Sequence, residues 1–241
     1  MRSLSKIFAI SLLASAAVVG ACGSSDSPPG PLAKHFDDMY IAAIPLDQKQ
    51  SVVQSQNDWS LAKMQNAKSD ADLNEAETQL SIVRNDLKAA QLGVDSANSA
   101  KKSADASADT NRMNQASKDQ HAAEALAKAA ELRVRYFEAY IDYLKTVQRH
   151  SQEAMYWHEA QYESAKAQVG QKGGIAPKGV AFDDFSKQEH DRGQREASSK
   201  DRVESSKAHA MSARDSWLHA QESADKENGH PTNLPDPMAA K

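Results

Sequence analysis

The chain has little of what a compact β domain or a disulfide-braced fold is built from. Cys22 is the sole cysteine, so no intrachain disulfide can form. No proline lies between Pro45 and Pro177, and Gly93 is the only glycine from Leu46 to Val169. Strands and tight turns need more punctuation than that, so no β-domain is expected. Leu, Ile, Val and Phe together make up about 16% of the residues, below the roughly 20% at which an ordinary globular core becomes hard to build. Alanine is the largest contributor to the hydrophobic fraction of 40%, and it is the strongest helix former. Long alanine-rich helices follow from these shortages.

Other absences bear on chemistry. No serine sits in a Gly-x-Ser-x-Gly elbow, and Gly170, Gly173, Gly174 and Gly179 lack both the following Gly-Lys-Ser/Thr and the preceding strand of a phosphate loop. Paired acids such as Glu75 and Glu77 or Asp183 and Asp184 read as solvated surface charge. No enzymatic activity and no cofactor are expected. With a net charge of −4, the chain also has no basic surplus to draw a nucleic acid.

What is present begins at the N-terminus. Arg2 and Lys6 precede an apolar stretch from about Ile7 to Val19, too short to span a bilayer of about 30 Å, and the stretch ends in Val19-Gly20-Ala21-Cys22. This arrangement resembles the lipobox of bacterial lipoproteins. The resemblance implies that signal peptidase II cuts between Ala21 and Cys22 after the Cys22 sulfur receives a diacylglycerol, with a further acyl chain, typically palmitate, on the new amino group. Two or three chains make such an anchor stable. Gly23, where a retention aspartate would stand, implies sorting to the outer membrane with the body facing the periplasm. Cleavage would leave 27 basic and 33 acidic residues, a net charge of −6.

The rest of the chain divides by composition. Residues 1–21 read as the signal peptide and 22–34, rich in Gly, Ser and Pro, as a lipidated flexible tether. Residues 35–226 read as a helical body, with helices over about 35–44, 47–104, 111–169 and 184–225, and 227–241 as a disordered tail. In the first long helix Val52, Trp59, Leu73, Leu80, Leu87 and Val94 recur at multiples of seven, with Ala62, Ala76, Val83, Ala90, Ala97 and Ala104 between them. In the second, Ala116, Ala130, Phe137, Leu144 and Ala165 form one row and Val134, Ile141, Tyr162 and Val169 another. Such rows are heptad seams. A phase break near Ala104–Asn111, with Asp109, Thr110 or Asn111 as N-cap, predicts a reversal there. Asp47 with Gln50 and Ser186 with Glu189 resemble capping boxes for the first and third long helices, and the first half of the third reads as solvated.

The fold class expected is therefore all-α, an elongated antiparallel three-helix bundle or coiled coil about 60–90 Å long. A parallel homo-oligomeric rod is the rival arrangement. The weak seams, with Asn66, Ser55 and Ser69 inside them, point to a protein partner or a homo-oligomer that completes the body.

Three further features bear on function. His121 with Glu124, His150 with Glu153 and His219 with Glu222 place metal-binding residue types on one helix face, and His158 falls on a seam beside Met155. No body histidine follows a glutamate by three residues, as a di-metal bundle site requires, so no metal is expected. The face of Phe36, Met39, Tyr40 and Ala43 could lie on a membrane or cap the bundle end; Asp37 and Asp38 favour capping. Lys241, last in the chain, together with Cys22 and the heptads, gives a distant likeness to Braun-type lipoproteins, which implies a link to peptidoglycan. Met238-Ala239-Ala240 in place of Tyr-Arg before that lysine departs from the family pattern. The expectation is a lipid-anchored envelope protein with a structural, scaffold or accessory role. The alternatives are a metal- or small-ligand-handling lipoprotein using Tyr136–Tyr162 as a pocket wall, and a peptidoglycan tether.

Overall fold

A computed structural model of the chain describes residues 27–239. The signal cleavage site at Ala21 and Cys22, and Lys241, lie outside the described residues. Within them the chain is all-α, with no strand. A single turn, α1 (Asp38–Ile41), and a 3-10 turn over Leu46–Lys49 lead into three long helices: α2 (Gln50–Ala106), α3 (Thr110–Lys172) and α4 (Phe182–Asn228). At 1.5 Å per residue, α3 alone is about 95 Å long.

The reversal between α2 and α3 falls where the phase break places it. Asp109 is the N-cap of α3, its carboxylate accepting from the amides of Asn111 and Arg112. Contacts run downward on α3 as they run upward on α2: Trp59 stacks on Tyr162, Ser69 meets Ser151, Arg84 pairs with Glu138 and Lys101 with Gln120. The same holds between α3 and α4, where Tyr136 meets Trp217, Thr146 meets Ser206 and Glu153 meets Arg195. Both pairs are antiparallel.

No Cα of α2 comes within 8 Å of one in α4. The three helices form a layer with α3 in the middle, not a closed triangle. The reason is a second seam on α3. Besides the row facing α2, Ala129, Tyr136, Tyr143, His150, Trp157 and Ser164 repeat at seven, with Ala139, Thr146, Glu153, Ala160 and Ala167 between them, and these rows face α4. The opposed seams leave a groove along each flank of α3, between α2 and α4.

Chain termini fill these grooves, which corrects two expectations. The stretch expected to be a flexible tether is laid along α3 and α4 from Ser27 onward, with Pro29 and Leu32 buried. The expected disordered tail is also docked: α4 ends at Asn228, Gly229 caps it in the left-handed region, φ +75°, and the chain turns back so that Leu234 and Met238 pack against the central core. That core joins Ala76 and Val83 of α2, Tyr136, Phe137 and Leu144 of α3, and Trp217 of α4. A second core at the α3 C-terminal end gathers Phe36, Ile41 and Ile44 with Val52, Tyr162, Val169 and Phe185. The aromatics of the Tyr136–Tyr162 stretch, the pocket wall of the alternative reading, are thus divided between two cores. Polar contacts separate them, including Ser69 to Ser151 at 2.6 Å and Gln148 to Asp70 at 2.7 Å.

Neither expected capping box forms. The 3-10 turn runs directly into α2 with no side-chain cap, and α4 starts at Phe182, one turn before Ser186. Phe182 and Phe185 pack on the Phe36 ring at centroid distances of 6.1 and 5.7 Å, so burial extends the helix upstream. The helix expected over 35–44 is reduced to α1, capped by the Asp37 side chain on the Met39 amide. Phe36, Ile41 and Ile44 turn inward there, while Met39 and Ala43 are exposed. The segment caps the bundle end.

Candidate functional site

A dense set of polar contacts forms where the N-terminal segment meets α3 and α4. Glu153 on α3 has only 2% of its side chain exposed, and its Oε1 accepts from Arg149 at 2.8 Å and Arg195 at 2.9 Å. Its Oε2 is buried with no partner among the described residues. The i,i+4 spacing of Arg149 and Glu153 puts both on one face of α3, and the antiparallel register brings Arg195 of α4 alongside. Both guanidinium groups also donate to the Ser27 carbonyl.

Arg192, one turn before Arg195, donates to the Gly30 carbonyl at 2.9 Å and the Pro31 carbonyl at 3.3 Å, and lies over the Tyr156 ring. Burial, then the neighbouring Arg195, lowers the pKa of its guanidinium. Gln188 closes the sequence by exchanging hydrogen bonds with the Lys34 amide and carbonyl, and Lys34 pairs with Asp184 at 3.1 Å. Proline-rich backbone cannot join a helix or sheet ladder, so its carbonyls need side-chain donors. Three arginines supply them. The first half of α4 is exposed over most of its surface, as expected, but the face of Gln188, Arg192 and Arg195 is the wall of this clamp.

Farther along, the Phe36 amide donates to Glu163 Oε2 at 2.6 Å, and its ring lies over Gly170, where a Cβ would come within 2.8 Å of Phe36 Cζ. Lys166, with 5% of its side chain exposed, joins Glu163 and Asp38, each at 2.9 Å. Burial opposes its charge, but the hydrogen bonds it donates to Asp38 and Glu163 outweigh that and raise its pKa. At Glu159 beside them burial wins: with Glu163 adding to it, and His35, Arg192 and Lys63 offsetting it only in part, it raises the carboxyl pKa.

A matching arrangement holds the C-terminal strap. Asp236 accepts from the Tyr136 hydroxyl at 2.6 Å, from Arg214 Nε at 2.5 Å and from the Met238 amide at 3.0 Å. Burial acts against the Asp236 carboxylate, and these donors outweigh it and hold its pKa below the usual value. Burial and the Asp236 partner push the Tyr136 hydroxyl well up.

The three histidine and glutamate pairs and His158 are not assembled into one site. His150 is engaged by Ser199 at 2.9 Å and Glu196 at 3.6 Å, while its expected partner Glu153 serves the arginines. His121 and Glu124 stand 3.9 Å apart at the surface, and His219 is exposed. His158 Nδ1 lies 2.9 Å from Gln161, with its ring against Trp157. Among the described residues no three His, Cys, Asp or Glu side chains converge as metal ligands, and no helix is long and apolar enough to cross a membrane.

Sequence reasoning missed the clamp. Its trace was a pair of arginines one turn apart, Arg192 and Arg195, on a helix otherwise poor in large apolar residues. Neither a family model, a curated protein nor a solved structure matches this chain.

Proposed function

We propose that this chain is a lipid-anchored cell-envelope protein, held at the outer membrane by acylated Cys22 and presenting a helical rod to the periplasm as a spacer, scaffold or accessory subunit. The observation that carries the reading is Val19-Gly20-Ala21-Cys22 behind Arg2, Lys6 and an apolar stretch. The clamp supports it: an anchor at Cys22 is useful to a rod only if force and position pass from lipid to body. Arg149, Arg192 and Arg195 grip the chain at Ser27 to Pro31, a few residues past that cysteine.

Feeding cells an alkyne-tagged palmitate tests the reading. Label on the protein, absent from Cys22→Ser, together with partition into Triton X-114 detergent, is the expected result. An unlabelled protein in the aqueous phase would contradict it.

Attachment to peptidoglycan through Lys241 is a second reading, favoured by the Asp236 contacts that pin the tail three to five residues before that lysine. Sacculi boiled in detergent and then digested with lysozyme should release the protein; sacculi empty of it would exclude the link.

A further inference from the structure

The position of the clamp along the rod constrains how the rod can stand on a membrane. Ser27 is held at the level of Glu153, 19 residues from the α3 C-terminus at Lys172, or about 30 Å along the axis. Toward the other tip, 43 residues separate Glu153 from Thr110, about 65 Å. Five peptide steps link Ser27 to Cys22, and an extended chain of that length reaches at most about 18 Å. The anchor therefore falls short of both tips. If the nearer tip touches the headgroups, the axis can rise no more than about 40° from the membrane plane before the tether is fully stretched.

The two straps also lie on different faces. Arg149, Glu163 and Gly170, which meet the N-terminal segment, are separated by multiples of seven residues on α3 and so form one line along the helix. Leu126, Arg133 and Tyr140, which border the C-terminal strap at Thr232, Leu234 and Pro237, form another such line. In a seven-residue wheel these lines are about 150° apart. The N-terminal segment at Ser27 lies on one flank of the helical layer and the C-terminal strap on the other.

We infer that the anchored protein lies along the bilayer, with the flank of Arg149, Arg192 and Arg195 against the headgroups and the C-terminal strap turned away toward the periplasm. This rests on acylation of Cys22. The three arginines border the point of contact, and Arg149 and Arg195 keep 20% and 32% of their side chains exposed, so cationic groups face the phosphate level. On the opposite face the strap leaves an open groove lined by Leu61, Met64, Ser151 and His158, which this orientation turns away from the bilayer. Leu61 and Met64 are exposed at 59% and 62%.

The test uses the full-length lipidated protein in outer-membrane-like supported bilayers. Neutron reflectometry should give a protein layer thinner than about 65 Å, the height of a rod of about 95 Å tilted by 40°. A variant with 20 Gly/Ser residues inserted between Gly23 and Ser27 should stand off in a thicker layer. Spin labels at Lys34→Cys and Thr232→Cys report the face: a headgroup-bound nickel chelate should relax the first several-fold more strongly. A thicker layer for the unmodified protein, or equal relaxation at the two sites, overturns the inference. Flotation of the same preparation with vesicles keeps the outcomes separate. A protein that floats but stands upright sinks only the orientation, whereas one that does not float sinks the lipid anchor with it.

Discussion

Tyr136 and Trp217 lie face to face, ring centroids 5.4 Å apart and planes 9° from parallel, both within 1% of complete burial. The pair binds α3 to α4, and the Tyr136 hydroxyl reaches past the stack to Asp236 of the strap. One contact therefore couples two helices and a terminus. Trp217→Ala should cost about 3–5 kcal/mol, the usual range for removing a large buried aromatic, read as a lower denaturant midpoint at unchanged slope.

Acid should release the strap before it melts the helices. The Asp236 pKa is depressed in the folded state, so its contribution is present above its unfolded value near 3.9 and is lost as pH falls through the lower, folded value. Near-ultraviolet circular dichroism, which reports the Tyr136 and Trp217 environment, should change below about pH 4 while far-ultraviolet helicity persists. Asp236→Asn should abolish that acid step.

Glu159 has the opposite sign. Its pKa is raised by burial, so ionisation opposes folding, and stability falls as pH rises from the unfolded value of about 4.5 through the folded one. Glu159→Gln should raise the melting temperature at pH 7 and lose that advantage below pH 4. Equal gains at both pH values would show that charge is not the cause.

Glu153→Ala should leave Arg149 and Arg195 facing each other with no carboxylate between them. Breaking a buried pair from one side costs about 3 kcal/mol, and here it also loosens both donors to Ser27. Limited proteolysis should then cut near residues 27–31 while α2 and α3 stay intact.

The long helices were legible because alanine, leucine and valine at seven-residue spacing declare the α2 and α3 seams. Val52, Ala76 and Val83, and Phe137, Ile141 and Leu144, are buried where that spacing places them. The turn at Ser107–Asp109 was legible from a break in phase and a capping residue. The second face of α3 was not, because Thr146, His150 and Glu153 lie on it and mask a hydrophobic signal. Nor were the straps, since Pro28, Pro29, Pro31, Pro235 and Pro237 read locally as unfolded chain. Their partners, Arg149 and Arg195 for one and Tyr136 and Arg214 for the other, come from distant turns of other helices, or in Arg214's case from α4 across the terminal turn. Tertiary contact overrides local composition at both ends, and both clamps fall there.

Mass spectrometry of the mature N-terminal peptide from membrane-extracted protein tests the central claim most directly. A chain beginning at Cys22 and carrying diacylglycerol mass, with or without a further acyl group, is the predicted result. A different first residue, or an unmodified Cys22, would contradict it.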